Sequence, residues 1–230
     1  MSIWSRIAAA LEALRQGEPF SAVFDRLRAA PVPPERSVAF TIGVIALGAK
    51  LAKADGRVTR DEVAAFRAVF TIPPGEERHA ARVFNLARQD VAGFEAYARK
   101  IAALFPPGDP VLRDLLEGLF HVALADGRLH PDEEAFLAEV ARLLGLPDRC
   151  FAAIRARLVP GAAPDPFAVL ELPPGATLKE ARAAWRRAVR ESHPDALRAR
   201  GLPEEALAAA EARLKAINRA WEDIRTRQAA

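Results

Sequence analysis

Apolar residues recur at three- and four-residue intervals along most of the chain, the pattern of helices that each bury one stripe. Near the start, Ile3, Trp4, Ile7, Leu11 and Leu14 share one side of a helical wheel, with Arg6, Glu12 and Arg15 elsewhere on it. This predicts an amphipathic helix that packs on the neighbouring domain or lays its apolar face in a membrane interface. Gly17, Pro19 and Pro31-Val32-Pro33-Pro34 then bracket a short helix through Val23, Phe24 and Leu27. No charge interrupts Ser37 to Ala49, a run well short of the roughly 20 residues a spanning helix needs. A buried core helix is expected there.

An internal repeat comes next. Ala54-Asp55-Gly56-Arg57-Val58-Thr59-Arg60-Asp61-Glu62 is echoed by Ala125-Asp126-Gly127-Arg128-Leu129-His130-Pro131-Asp132-Glu133, with Phe66 echoed by Phe136 one residue out of register. In each copy an apolar helix ends at Asp-Gly, where glycine takes the left-handed conformation, and a new helix begins four or five residues on. Thr59 with Glu62 fits a capping box; Pro131 suits a first helical position, with Glu133 and Glu134 in the first turn. Helical stretches from Glu76 to Gln89 and from Val91 to Phe105 separate the two hairpins, and Leu146 to Leu158 closes a bundle.

Val159 to Pro166, with three prolines and no periodicity, reads as a stiff linker. Beyond it, Phe167 to Leu170 forms a brief helical turn and Thr177 caps a helix. That helix places Leu178, Ala181, Trp185 and Ala188 on a stripe facing the core. Beside it run Lys179, Arg182, Arg186 and Arg190, with Arg187 alongside, an exposed face of cations met by one acid, Glu180. Pro194 biases His193 away from helical geometry, so the helix stops and His193-Pro194-Asp195 enters a loop. A final helix from about Glu204 to Arg227 spaces Leu207, Ala210, Leu214, Ile217, Trp221 and Ile224 three and four apart and returns antiparallel. Asn218, inside that stripe, reads as a structural polar residue bonding loop or helix-end backbone. The loop between the two helices is longer than a simple connection, which marks it for function.

Composition narrows the function. The 230 residues are 51% hydrophobic with few β-branched residues, which favours an all-α fold over sheet. A net charge of +3 is too small to argue for nucleic acid, and no aromatics interleave with the cations of the basic helix, so nucleic acid is not the expected partner. One cysteine, Cys150, permits no intrachain disulfide and suits a reducing compartment. The start of the chain lacks the pattern of a secretory signal, so a cytoplasmic location is expected, with peripheral contact at the inner face of a membrane through the first helix as the variant. Without a phosphate-binding glycine loop, a Cys–His pair or paired carboxylates in an evident cleft, the chain is not expected to be an enzyme.

Phe167-Ala168-Val169-Leu170, Trp185-Arg186-Arg187, His193-Pro194-Asp195 and Ile217-Asn218-Arg219-Ala220-Trp221-Glu222-Asp223-Ile224 resemble, in order, the signature segments of a DnaJ-type J domain. The repeat-bearing region resembles a TerB-like (tellurite-resistance B) helical domain. Together they resemble the DjlA-type co-chaperones. The resemblance implies an N-terminal segment over 1–32, a TerB-like domain over 33–158, a linker over 159–165 and a J domain over 166–230. It also implies stimulation of ATP hydrolysis by a DnaK-type heat-shock chaperone. His193, Pro194 and Asp195 would contact that partner's nucleotide-binding domain, and Arg182, Arg186, Arg187 and Arg190 would dock on an acidic surface; the client protein is unknown. The TerB-like part is expected to serve interaction or stress sensing.

The alternative is a stress-response scaffold, or a TerB-like protein that binds a divalent metal, whose J domain is weakened where Ala196 replaces a common lysine and Ser192 a common aromatic. The metal candidates are Asp55, Asp61 and Glu62 with their counterparts Asp126, Asp132 and Glu133, all oxygen donors suited to a hard cation. Their spacing completes no calcium loop, and helix capping accounts for most of them, so no cofactor is expected. His121, on an apolar helix, reads as a core or edge histidine rather than a ligand with Asp126 and His130. The melting temperature is therefore expected to stay put on addition of calcium, magnesium or zinc, and a rise with one of them would assign that cation to the bundle.

Overall fold

The computed structural model describes residues 13, 16, 18, 38–52, 63–66, 81, 84–85, 93–160, 165–193 and 204–229. Every regular element among them is helical: α1 (Val38–Leu51), α2 (Phe94–Ala102), α3 (Pro110–Ala123), α4 (Pro131–Leu143), α5 (Asp148–Leu158), α6 (Pro166–Val169), α7 (Leu178–Glu191) and α8 (Glu204–Ala229). The all-α expectation holds for these residues. The first helix with Trp4, the short helix through Phe24, the first repeat copy up to Glu62 and most of 76–89 lie outside them. The chain divides into two compact units, Met1–Leu146 and Pro147–Ala230.

In the first unit α1 is the centre. It carries no charge before Lys50, and Ile42 through Ala49 are all buried, so both sides of the helix need neighbours. It finds them in α2, α3 and α4, each of which packs on it. Tyr97 and Ile101 of α2, Leu112, Leu116, Leu119 and Phe120 of α3, and Leu137 and Val140 of α4 are sealed from solvent. Aromatic pairs tie the elements: Phe94 to Phe136 with centroids 4.4 Å apart, and Phe40 to Phe105 edge-on at 5.3 Å.

The second repeat copy joins α3 to α4. α3 stops at Ala123, a Leu124–Asp126 turn succeeds it, and Gly127 takes φ +87° with its N–H on the Leu124 carbonyl at 2.9 Å. The Asp126 carboxylate accepts from the Arg128 N–H at 2.9 Å, closing the turn. Pro131 opens α4, and the Glu133 carboxylate accepts from the His130 N–H at 2.9 Å, satisfying a donor that the helix leaves free.

In the second unit α5 packs on α6, and α6 and α7 pack on α8. Val169, Leu170, Ala181, Ala184, Ile217, Ala220 and Ile224 form its core, with Ala156, Phe167, Leu172, Trp185 and Trp221 against the rim. The stripe expected on α7 is corrected at one end. Leu178 is 41% exposed, because it is the first residue of the helix and the packed seam begins a turn later at Ala181; Ala184 takes the buried place instead.

Close approach to α1 depends on glycine. A methyl group at Gly48 would stand 2.2 Å from Phe66 Cε2, and one at Gly43 would stand 2.7 Å from Ile101 Cγ1. The buried Phe66 ring cannot swing aside as an aliphatic chain can. Gly48→Ala is expected to lose stability, because overpacking of about 1–3 kcal/mol outweighs the roughly 1 kcal/mol that alanine adds in a helix. A urea midpoint lower than that of the unmutated chain is the expected result, and a higher midpoint would contradict the close contact.

Candidate functional site

The second unit presents its chemistry on α7. Thr177 caps the helix: its hydroxyl oxygen lies 3.3 Å from the Glu180 N–H, and the Glu180 carboxylate accepts from the Thr177 N–H at 2.8 Å and from the Thr177 hydroxyl at 2.7 Å. Those hydrogen bonds to Thr177, the side-chain bond foremost, hold the Glu180 carboxyl below its ordinary pKa. Glu180 is thereby turned to the helix start, where it also favours the N-terminal end of the dipole.

Lys179, Arg182, Arg186, Arg187 and Arg190 are all exposed, and none forms an ion pair with another described residue. The helix ends at Glu191. Ser192, only 3% exposed, closes it with its N–H on the Ala188 carbonyl at 3.0 Å, and His193 comes next at the surface. The small side chain at 192 suits a buried helix end. Pro194, Asp195 and Ala196 lie outside the described residues. The structure thus brings the cations together on one helix with His193 just past its end.

α7 is tied to α8 by a contact that helical periodicity does not predict. Trp185 Nε1–H donates to Asn218 Oδ1 at 2.9 Å, and the Trp185 and Trp221 rings stack with centroids 5.5 Å apart and planes 17° apart. Asn218 is a structural polar residue, but its partner is an indole across the seam rather than loop or helix-end backbone. The residue types carry a signal for this pairing: an indole N–H can only donate, and Asn218 offers a carbonyl three residues before Trp221. The hydrogen bond contributes about 0.5–1.5 kcal/mol, and the stack a similar amount beyond its buried area.

Three of the six acids named as metal candidates, Asp126, Asp132 and Glu133, are among the described residues. Asp55, Asp61 and Glu62 are outside the described residues. Asp126 holds the Arg128 N–H and stands 3.6 Å from His130 Nε2, Glu133 caps α4, and Asp132 is exposed in the first turn. Among the described residues no three His, Cys, Asp or Glu side chains are grouped to hold a metal ion. Cys150 is buried in α5.

The family described as tellurite resistance protein TerB matches residues 41–156, half of the chain. Co-chaperone protein DjlA of Coxiella burnetii is 31% identical over 197 residues, covering 76% of this chain and 72% of the relative. The chain belongs to the DjlA-type co-chaperone family. DjlA of Photobacterium profundum is 28% identical over 217 residues (83% of this chain, 78% of the relative), and DjlA of Escherichia coli K12 is 26% identical over 266 aligned positions, covering 98% of each. No solved structure matches. The TerB match reaches into α5, which clusters with the second unit and places Ala156 against that unit's core. No helix among the described residues of this DjlA-type chain is long and apolar enough to cross a membrane.

The lowered pKa of Glu180 carries a sign. A carboxyl whose folded pKa lies below its unfolded value contributes stability that is present above the unfolded pKa, about 4.3 for glutamate, and is lost as pH falls through the folded pKa. Amide exchange in the first turn of α7 is therefore expected to speed up between neutral pH and the acid side of that range, after correction for intrinsic rates. Glu180→Gln should remove this contribution to the acid dependence, and an unchanged profile would contradict it.

Proposed function

We propose that the C-terminal unit is a J domain that stimulates ATP hydrolysis by a DnaK-type heat-shock chaperone, and that the chain acts as a co-chaperone rather than as an enzyme. The observation that carries the reading is the face of α7: five exposed cations with no ion-pair partner among the described residues, ending beside exposed His193. Leaving such a face unneutralised raises repulsion within the helix, whereas an acidic partner surface removes it, speeds encounter and fixes orientation. The relatives' name, co-chaperone protein DjlA, supports the same role.

In this reading residues 33–158 are the TerB-like domain, 159–165 the linker and 166–230 the J domain. Arg182, Arg186, Arg187 and Arg190 dock on acidic groups of the partner. His193, Pro194 and Asp195 meet its nucleotide-binding domain, with proline limiting the entropy lost when Asp195 is fixed as an acceptor. The TerB-like domain serves as an interaction or stress-sensing module on the cytoplasmic side.

Steady-state ATP hydrolysis by the purified chaperone tests this. The chain is expected to stimulate it, and Asp195→Asn to abolish stimulation. Arg186→Ala with Arg190→Ala should raise the half-maximal concentration about tenfold at low salt, equivalent to about 1.4 kcal/mol, with a smaller effect at high salt where charge is screened. No stimulation by the unmutated chain would favour the scaffold reading. Equal behaviour of the arginine variant at both salts would refute electrostatic docking.

A further inference from the structure

The buried side of α7 is shallow. Ala181 and Ala184 are covered, Ala188 and Val189 are partly so, and the core residues of α8 are Ala220, Ile217 and Ile224. Alanine lets helices approach closely, but the ridges that set one helix along another are built from larger side chains. A slip of one turn would carry the α7 cations about 5.4 Å along the seam and still leave small residues opposing small or aliphatic ones.

Trp185 breaks that degeneracy. Its indole donates to Asn218 and stacks on Trp221, three residues further along α8, so one ring is held by two adjacent positions. The hydrogen bond is directional and fixes position along the axis, while the stacked plane fixes rotation. Trp185 immediately precedes Arg186 and lies three residues after Arg182, so its setting is the setting of the cationic face.

We propose that Asn218 and Trp221 form a register clamp on Trp185, and that they are positioning residues for the α7 cations and for His193 at the end of the same helix. The functional consequence rests on the chaperone-activating reading; the clamp rests on the seam alone.

Three variants of the full chain test it: Asn218→Leu removes the acceptor, Asn218→Asp keeps it, and Trp185→Phe keeps a ring without the donor. Each is compared at a temperature where circular dichroism shows it folded. Two quantities are read: nuclear Overhauser contacts between the ring at 185 and Trp221, and the half-maximal concentration against the maximal rate of ATPase stimulation. Asn218→Leu and Trp185→Phe are expected to weaken the ring contacts and raise the half-maximal concentration about fivefold at unchanged maximal rate, with Asn218→Asp within about twofold of the unmutated chain. Unchanged ring contacts and half-maximal concentration in both disruptive variants would overturn the clamp, as would lower melting temperatures with no change in either quantity. If the unmutated chain gave no stimulation, the chaperone reading would fall and the ring contacts would still decide the clamp.

Discussion

Repulsion between like charges along the outer face of α7 is the constraint against which the C-terminal unit is built. Lys179 with Arg182, Arg182 with Arg186, Arg186 with Arg190 and Arg187 with Arg190 are pairs three or four apart, each destabilising by a few tenths of a kcal/mol. The sum is about 1–2 kcal/mol, similar to the combined contribution of the Trp185–Asn218 hydrogen bond and the Trp185–Trp221 stack. The inner side of the helix, lined mostly by alanine with Val189 near its end, adds close contact but little specificity. In the proposed clamp one indole supplies the positional specificity that a larger apolar stripe supplies in an ordinary hairpin.

The first unit answers a different constraint. A helix that is apolar on every side has to be surrounded, and α2, α3 and α4 are disposed around α1 for that reason. Glycines 43 and 48 let Ile101 and Phe66 close on its backbone, so the unit gains contact where larger residues would hold neighbours away. Its polar groups are spent on turns and caps: Asp126 on the Arg128 N–H and Glu133 on the His130 N–H. In the second repeat copy these two acids thus serve the turn and the cap that join α3 to α4.

Much of this was legible in residue order because it depends on neighbours in sequence. The charge-free run marked α1, Thr177 marked the start of α7, and Pro131 marked the start of α4, since caps and periodicity are local. Pro194 bounded the end of α7 for the same reason. Contacts across 33 residues were not legible, because periodicity places Trp185 and Asn218 on faces without setting the register between the helices. Leu178 shows the related error: a stripe gives the buried side of a helix but not where the neighbouring helix begins to cover it.

The proposed activation of a DnaK-type chaperone draws on a family assignment, a cationic helix face and a histidine just past its end. The most direct test is single-turnover hydrolysis of ATP already bound to that chaperone, monitored at rising concentrations of this chain so that nucleotide exchange plays no part. The account predicts a hydrolysis rate that rises and saturates, with the rise displaced to higher concentration as salt is added. A rate independent of the chain at every concentration and at low salt would contradict it.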